Sequence, residues 1–171
     1  MDVSKYVAIV PARAGSKGIP NKNLAKLAGR SLIAWSIQAA KKSLLFEDIV
    51  ISSDDKRFLN EGFAAGATVE IMRPNNLATD LSKQIDVLKH AIQELNRIGK
   101  NFEHILLLQP TCPFRRINDL VRAVELHKEN SHKTLISVCN VSRMHLSTMY
   151  SGELSNLSLS NATTANVRGT L

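Results

Sequence analysis

A short basic loop follows the first apolar run of the chain. The run 6–10 ends at Pro11, and residues 12–23 then carry three cations and two glycines, namely Arg13, Gly15, Lys17, Gly18 and Lys22. Backbone N–H groups in a glycine-containing turn can form a concave anion site, and the cations add positive charge. The spacing matches neither the Walker loop nor the GxGxxG fingerprint. The pattern favours a phosphate-binding loop over a solvated basic surface loop.

The positive charge of the chain is concentrated around this loop. The net charge is +7, and residues 3–46 hold eight Lys or Arg and no Asp or Glu. A local positive field suits a polyanion such as a triphosphate, a nucleic acid or an acidic sugar. Aromatic residues make up only 5% and do not alternate with the cations, which makes a nucleic-acid-binding protein the weakest of these alternatives.

The composition is that of an ordinary globular domain. The chain has 171 residues, of which 44% are apolar and 22% charged, and no apolar stretch reaches the length of a membrane span. No signal-peptide pattern opens the chain, and Cys112 and Cys139 are isolated thiols. These features predict a reduced, cytoplasmic protein with no membrane partner. The five His residues lack metal-ligand grouping.

Strand and helix patterns alternate along the chain. Apolar runs predict strands at 6–10, 48–52, 69–72, 104–108 and 134–139, and the run 104–108 is typical of a strand covered on both faces. Helical spacing predicts helices at 31–45 with Ser31 as cap, at 55–65, from Asp80 or Ser82 to about 98, and at 118–129. Such alternation predicts a mostly parallel sheet with helices on both sides, which binds ligands at the carboxyl ends of its strands.

The domain organisation and an acidic pair after the second strand complete this predicted architecture. Residues 1–150 are expected to form the nucleotide-binding domain, and the polar tail 151–171, rich in Ser, Thr and Asn, a loop or mobile end. Asp54 and Asp55 follow the second strand, where acidic pairs either bind metal or cap a helix, and capping is favoured for Asp55.

Five ordered motifs resemble those of the CMP-sialic acid synthetase family. They are PARAGSKGIPNKN at 11–23, ISSDD at 51–55, RPNNLATD at 73–80, LLQPTCPFR at 107–115 and ISVC at 136–139. The resemblance implies a three-layer α/β/α Rossmann-like nucleotidyltransferase fold. It also implies transfer of CMP from CTP to a nonulosonic acid (N-acetylneuraminic, legionaminic or pseudaminic), with release of pyrophosphate.

The resemblance also implies roles for individual residues. It places Arg13, Lys22 and Gln109 in catalysis and Gln109 and Thr111 at the sugar. The nucleotide contacts that it implies are Ala12, Arg13, Gly15, Ser16, Lys17, Lys22, Asn23, Arg73 and Asp80. Considered without the resemblance, Arg73 is better explained as a surface residue before a turn, and Gln109 as a residue that satisfies backbone groups at a strand end. Cys112 stands where the family usually has Ser.

The resemblance further implies a homodimer and a Mg²⁺ cofactor. The family's pair of metal-binding aspartates would lie beyond Leu171, so we expect no metal ligands within this chain. The chain is therefore expected to be either part of a complete enzyme or a truncated product with impaired chemistry. The alternative function is a non-catalytic CTP-binding or interaction protein of the same fold.

Overall fold

A four-stranded parallel sheet forms the centre of the structure, a computed structural model. It describes residues 6–16, 18–130 and 134–137, and the backbone of 150–151 and 158–159. The sheet consists of β1 (Tyr6–Pro11), β4 (Asp48–Ser53), β5 (Val69–Met72) and β6 (His104–Leu107). Their order is β5-β4-β1-β6, so β1 is central and the chain crosses it between β5 and β6. The predicted mostly parallel sheet is confirmed.

Four helices connect and cover these strands. They are α1 (Leu32–Ser43), α2 (Lys56–Ala65), α3 (Gln84–Arg97) and α4 (Ile117–Glu129). Before α1, the short strands β2 (Lys26–Leu27) and β3 (Arg30–Ser31) pair antiparallel. The Ser31 hydroxyl accepts a 3.0 Å hydrogen bond from Ala34 N, and the Asp55 carboxylate accepts one of 2.8 Å from Arg57 N. Both predicted N-caps are confirmed, because each side chain satisfies an N–H that has no partner within its helix.

Apolar side chains cover both faces of the sheet. Alternate residues of β1 point to opposite sides: Ala8 and Val10 pack with residues of α1, α2 and α4, whereas Val7 and Ile9 pack with α3. All four side chains are fully buried. The three-layer arrangement predicted for the chain is therefore confirmed.

Helix α2 packs closely against β4 at Gly62. A Cβ atom built on Gly62 would lie 2.7 Å from Ile51 Cγ1, well inside normal contact distance. Ile51 is fully buried, so it has no room to move away. Glycine at this position therefore sets how near the helix comes to the strand.

Three predicted elements differ from the structure. Helix α3 begins at Gln84 rather than at Asp80 or Ser82, because the Ser82 hydroxyl is used in the preceding turn, where it accepts from Thr79 N and donates to Asn76 O. Strand β6 is not covered on both faces by the described residues, since Ile105 is 41% exposed. Residues 134–137 carry no strand, and the rest of the strand predicted at 134–139 lies outside the described residues.

The chain divides into two compact units, one up to Glu125 and one from Leu126 onward. The first contains the parallel sheet and most of the helices. In the second, the two-residue strands β7 (Tyr150–Ser151) and β8 (Ser158–Leu159) pair antiparallel; the remainder of the predicted tail lies outside the described residues. Among the described residues, no helix has the length and apolar character required to cross a bilayer.

Candidate nucleotide site

The carboxyl ends of all four parallel strands meet at one edge of the sheet. Main-chain hydrogen bonds extend the strand pairing there: Ala12 N donates to Ser52 O at 2.9 Å, and Arg73 N donates to Ser53 O at 2.7 Å. On the other side of β1, Leu108 N donates to Ile9 O at 2.9 Å. The segments that begin at Ala12, Asp54, Arg73 and Leu108 are thus neighbours at the edge where such sheets bind ligands.

Arg13 lies in the loop after β1 and forms an ion pair with Asp80. Its Nη2 atom is 2.5 Å from Asp80 Oδ1, and the two side chains are 31% and 36% exposed. The pair joins residues far apart in sequence, both predicted to contact the nucleotide. Because the pair is open to solvent, a phosphate group can reach the guanidinium.

The segment around Lys22 and Asn23 returns to the same loop. Asn23 is buried, and its Nδ2 atom donates a 3.2 Å hydrogen bond to the carbonyl of Arg13. The one-turn helix Lys22–Leu24 follows Asn21, which has the left-handed φ of 51° that asparagine tolerates well. No hydrogen bond or ion pair joins the Lys22 ammonium to another described residue. The geometry therefore gives Asn23 a supporting role for Arg13 and leaves the Lys22 ammonium available to a ligand.

Arg73 is a buried cation just beyond β5. The residue is 5% exposed, and its Nη2 atom lies 3.4 Å from Ser52 O and 3.9 Å from Asp54 Oδ1. Its Nε atom is buried and has no hydrogen-bond partner among the described residues. Burial lowers the pKa of Arg73, the positive charge of Arg13 lowers it further, and Asp54 acts in the opposite direction. An anion bound here would offset part of the cost of burying this charge.

Asp54 connects the two arginine-bearing segments, a role that sequence reasoning missed. Its Oδ1 atom accepts a 3.0 Å hydrogen bond from Ala14 N and lies 3.9 Å from the Arg73 guanidinium. The carboxylate thus holds the loop after β1 beside Arg73. The available signal was its position directly after a buried strand, at the ligand-binding edge.

Gln109 follows β6, on the other side of β1 from Arg73. Its carbonyl accepts hydrogen bonds from Cys112 N at 3.1 Å and from Arg115 Nη2 at 2.5 Å, while Arg115 Nη1 donates to Ser36 Oγ at 3.0 Å. Gln109 and Thr111 are both half-buried. Arg115, a second residue missed from sequence, therefore fixes the turn that carries the two predicted sugar contacts to helix α1.

The remaining predicted contacts lie in the loop after β1. Ala12 has a fully buried side chain and uses its N–H within the sheet edge, which leaves its carbonyl for a ligand. Apart from its two chain neighbours, no described residue has an atom within 4 Å of a Cβ built on Gly15, so the described part of this loop leaves space there. Ser16 N donates to Ala14 O at 2.9 Å. Lys17 lies outside the described residues.

The described residues do not fit a magnesium site. No three His, Cys, Asp or Glu side chains among them are grouped closely enough to hold a metal ion. The two carboxylates of the site, Asp54 and Asp80, each face an arginine. As they stand, the described side chains can bind and orient an anion by hydrogen bonds and positive charge.

Comparison with known proteins gives close relatives. The chain is 41% identical to the CMP-N,N'-diacetyllegionaminic acid synthase of Legionella pneumophila, over 81% of this chain and 59% of that protein. It is 36% identical to an N-acylneuraminate cytidylyltransferase of Escherichia coli, over 79% of this chain and 31% of that protein. The chain thus spans between about a third and three fifths of the length of these relatives.

Solved structures agree on the fold. A 4-diphosphocytidyl-2C-methyl-D-erythritol synthase matches with a TM-score of 0.62 and 15% identity, over 97% of this chain and 70% of that one. A CMP:2-keto-3-deoxy-manno-octonic acid synthetase in complex with CTP matches with a TM-score of 0.60 and 23% identity, over 74% of this chain and 48% of that one. The Rossmann-like nucleotidyltransferase fold predicted from the motifs is confirmed.

A family model described as Cytidylyltransferase matches residues 7–165, nearly the whole chain. Because this match and the 41% identical relative agree, the chain belongs to the cytidylyltransferase family.

Proposed function

We propose that this chain forms the CTP-binding part of an enzyme that transfers CMP from CTP to a nonulosonic acid and releases pyrophosphate. One observation carries the proposal: Arg13 and buried Arg73 converge at the ligand-binding edge of the sheet, held there by Asp54 and Asp80. The relatives named for legionaminic and acylneuraminic acids support an acid of this class as acceptor.

The proposed reaction is an in-line displacement at the α-phosphorus of CTP. The anomeric hydroxyl of the acid attacks the α-phosphorus of CTP in line; the new C–O–P linkage forms, and the bond from the α-phosphorus to the bridging oxygen of the leaving group breaks. The hydroxyl proton is released, and pyrophosphate departs with the negative charge of the broken bond. Arg13 and Lys22 are proposed to stabilise that charge, which is greatest in the transition state.

The other residues are proposed to bind and orient the substrates. Arg73 is proposed to contact the nucleotide, and Asn23 to hold the Arg13 loop in position through its hydrogen bond to the Arg13 carbonyl. Gln109 has a side-chain amide that can both donate and accept hydrogen bonds, which suits the hydroxyl and carboxylate groups of the acid. Thr111 is proposed to contribute a hydroxyl on the same turn.

Magnesium, a homodimer and a cytoplasmic location complete the proposal. Magnesium would neutralise the triphosphate, but because the described residues do not fit it, no step above is assigned to a metal. The dimer rests on the family resemblance, and the cytoplasmic location on the sequence composition. Chelation by EDTA and light scattering test the first two directly.

The decisive experiment is a pyrophosphate-release assay. We expect the enzyme that contains this chain to release pyrophosphate with CTP and at least one of N-acetylneuraminic, legionaminic and pseudaminic acids, and to release none when UTP or ATP replaces CTP. Calorimetric binding of CTP without release in the presence of any acid and added Mg²⁺ would instead favour the non-catalytic alternative. Failure to bind CTP would refute both.

A further inference from the structure

A second basic pocket lies beside helix α1. Arg30, Lys42 and Arg115 line it, together with Trp35, Pro113 and Ile117. The pocket measures about 130 Å³, and none of the described residues that line it carries a carboxylate. Arg13, Lys22 and Arg73 do not line it. A single water needs only ~10–15 Å³ by the same kind of measure, so a group of several atoms fits.

This pocket accounts for part of the positive charge that the nucleotide loop leaves unexplained. Arg30 and Lys42 belong to the segment 3–46, which contains no acidic residue. Arg115 approaches them from the turn after β6. Three cations with no carboxylate among the described lining residues repel one another, and a bound anion would relieve that repulsion.

Arg115 gives the strongest reason to expect an anion. Its guanidinium donates to two neutral oxygens, Ser36 Oγ and the carbonyl of Gln109, and forms no ion pair with a carboxylate of the described residues. Burial lowers the pKa of Arg115, and Cys112 acts in the opposite direction. Charge-assisted hydrogen bonds from the remaining N–H groups would compensate this half-buried charge.

The aromatic wall of the pocket is held in place. Trp35 Nε1 donates a 2.7 Å hydrogen bond to Leu27 O, and the Arg30 guanidinium carbon lies 5.0 Å from the centre of the Trp35 ring. The Phe114 ring meets Trp35 edge-on at 5.8 Å. These contacts fix Arg30 over the indole, which prepares its N–H groups for a ligand at low entropic cost.

We infer that this pocket binds an oxyanion of phosphate size, free or as part of a larger metabolite, at a site separate from the proposed CTP site. Three cations favour a group with two negative charges over a single carboxylate. The planar forks of Arg30 and Arg115 suit the oxygens of a phosphate group.

Trp35 is the only tryptophan of the chain, so its fluorescence reports directly on the pocket. We expect inorganic phosphate and pyrophosphate, titrated at constant ionic strength against sodium chloride, to change the emission in a saturable way. Lys42→Gln should raise the apparent Kd for the anion about tenfold or more, because one of the three cations is lost. Lys41→Gln is the matched control, because it removes the same charge from an exposed neighbour that does not line the pocket.

Two results would overturn the inference. If Lys41→Gln and Lys42→Gln weaken anion binding equally, the change in emission reflects the overall positive charge and not a specific site. Loss of the response in Arg13→Ala would assign it to the nucleotide loop instead. If the phosphate-induced change in Trp35 emission persists in Arg13→Ala but is lost in Lys42→Gln, a second site is established, whether or not the chain binds CTP.

Discussion

The guanidinium of Arg115 is hydrogen-bonded to the carbonyl of Gln109 at 2.5 Å and ties it to Ser36 in helix α1. The turn after β6 is therefore anchored by a half-buried cation, while the Gln109 side chain stays available to a substrate. Arg115 does not face the proposed reaction itself, so its effect on activity would come through the position of Gln109.

Arg115→Lys should impair use of the acid more than use of CTP. Lysine keeps the charge but loses the two-pronged geometry, so one of the two hydrogen bonds is lost, at a cost of about 1 kcal/mol. We expect KM for the acid to rise roughly fivefold, with KM for CTP nearly unchanged, in steady-state pyrophosphate release. Gln109→Ala should likewise raise KM for the acid more than KM for CTP. Equal changes of both KM values in Arg115→Lys would argue against a positioning role for Arg115.

Arg13→Ala should strongly lower catalytic activity without unfolding the protein. The Arg13–Asp80 pair is partly exposed, and such pairs contribute ~0–1 kcal/mol to stability. We expect kcat/KM to fall by about 10²-fold or more while Tm stays within roughly 2–4 °C. Lys22→Ala should behave similarly. Exposed Lys26→Ala, in the same basic segment, serves as the control, and a comparable loss there would show that only overall charge matters.

Arg73→Met should weaken CTP binding without lowering the stability of the fold. Methionine fills a similar volume and removes a buried charge whose Nε has no partner among the described residues. We expect Tm to stay the same or rise by roughly 2–4 °C, while calorimetry shows CTP affinity at least tenfold lower. A clear fall in Tm with unchanged CTP affinity would make Arg73 a structural residue only.

Asp55→Ala should lower stability in a pH-dependent way. Hydrogen bonds from the Arg57 side chain and then from Arg57 N lower the pKa of Asp55 below its ordinary 3.8. Because the folded-state pKa is depressed, the stabilisation is complete above about pH 4 and is lost as the pH falls through the folded value. At pH 7 we expect Tm to drop by roughly 2–4 °C, as for loss of a helix cap.

The difference in Tm between the wild type and Asp55→Ala, measured by circular dichroism, should shrink as the pH falls below about 4. Asp119→Ala, which removes an exposed i,i+3 pair with Arg116, provides a comparison on another helix. A pH-independent difference at Asp55 would mean that the carboxylate charge plays no part in the cap.

Sequence reasoning succeeded where local chemistry decides the structure. The run at β1 is apolar throughout because both faces are covered, and Ser31 and Asp55 cap helices through contacts two or three residues away. The start of α3 was wrong for an equally local reason. Ser82 has the chemistry of a cap, but its hydroxyl is already engaged in the turn with Thr79 and Asn76.

The site was less predictable because its contacts link distant parts of the chain. The motifs identified Arg13, Arg73 and Gln109, yet nothing in their spacing shows that Asp54 joins the first two segments across 40 residues. The bond from Arg115 to Ser36 spans 79 residues and is equally invisible in sequence. Such contacts follow from strand order, which brings the carboxyl ends of β1, β4, β5 and β6 together only in the folded sheet.

Gly62 shows that the geometry of the candidate site can depend on a residue that has no side chain. In isolation its helix would gain up to about 1 kcal/mol from alanine. Yet the added methyl would press on Ile51, three residues before Asp54, and the whole end of that strand would have to give way. Glycine at this position therefore weakens its own helix but leaves Ile51, and with it the acid that joins the two arginine segments, in place.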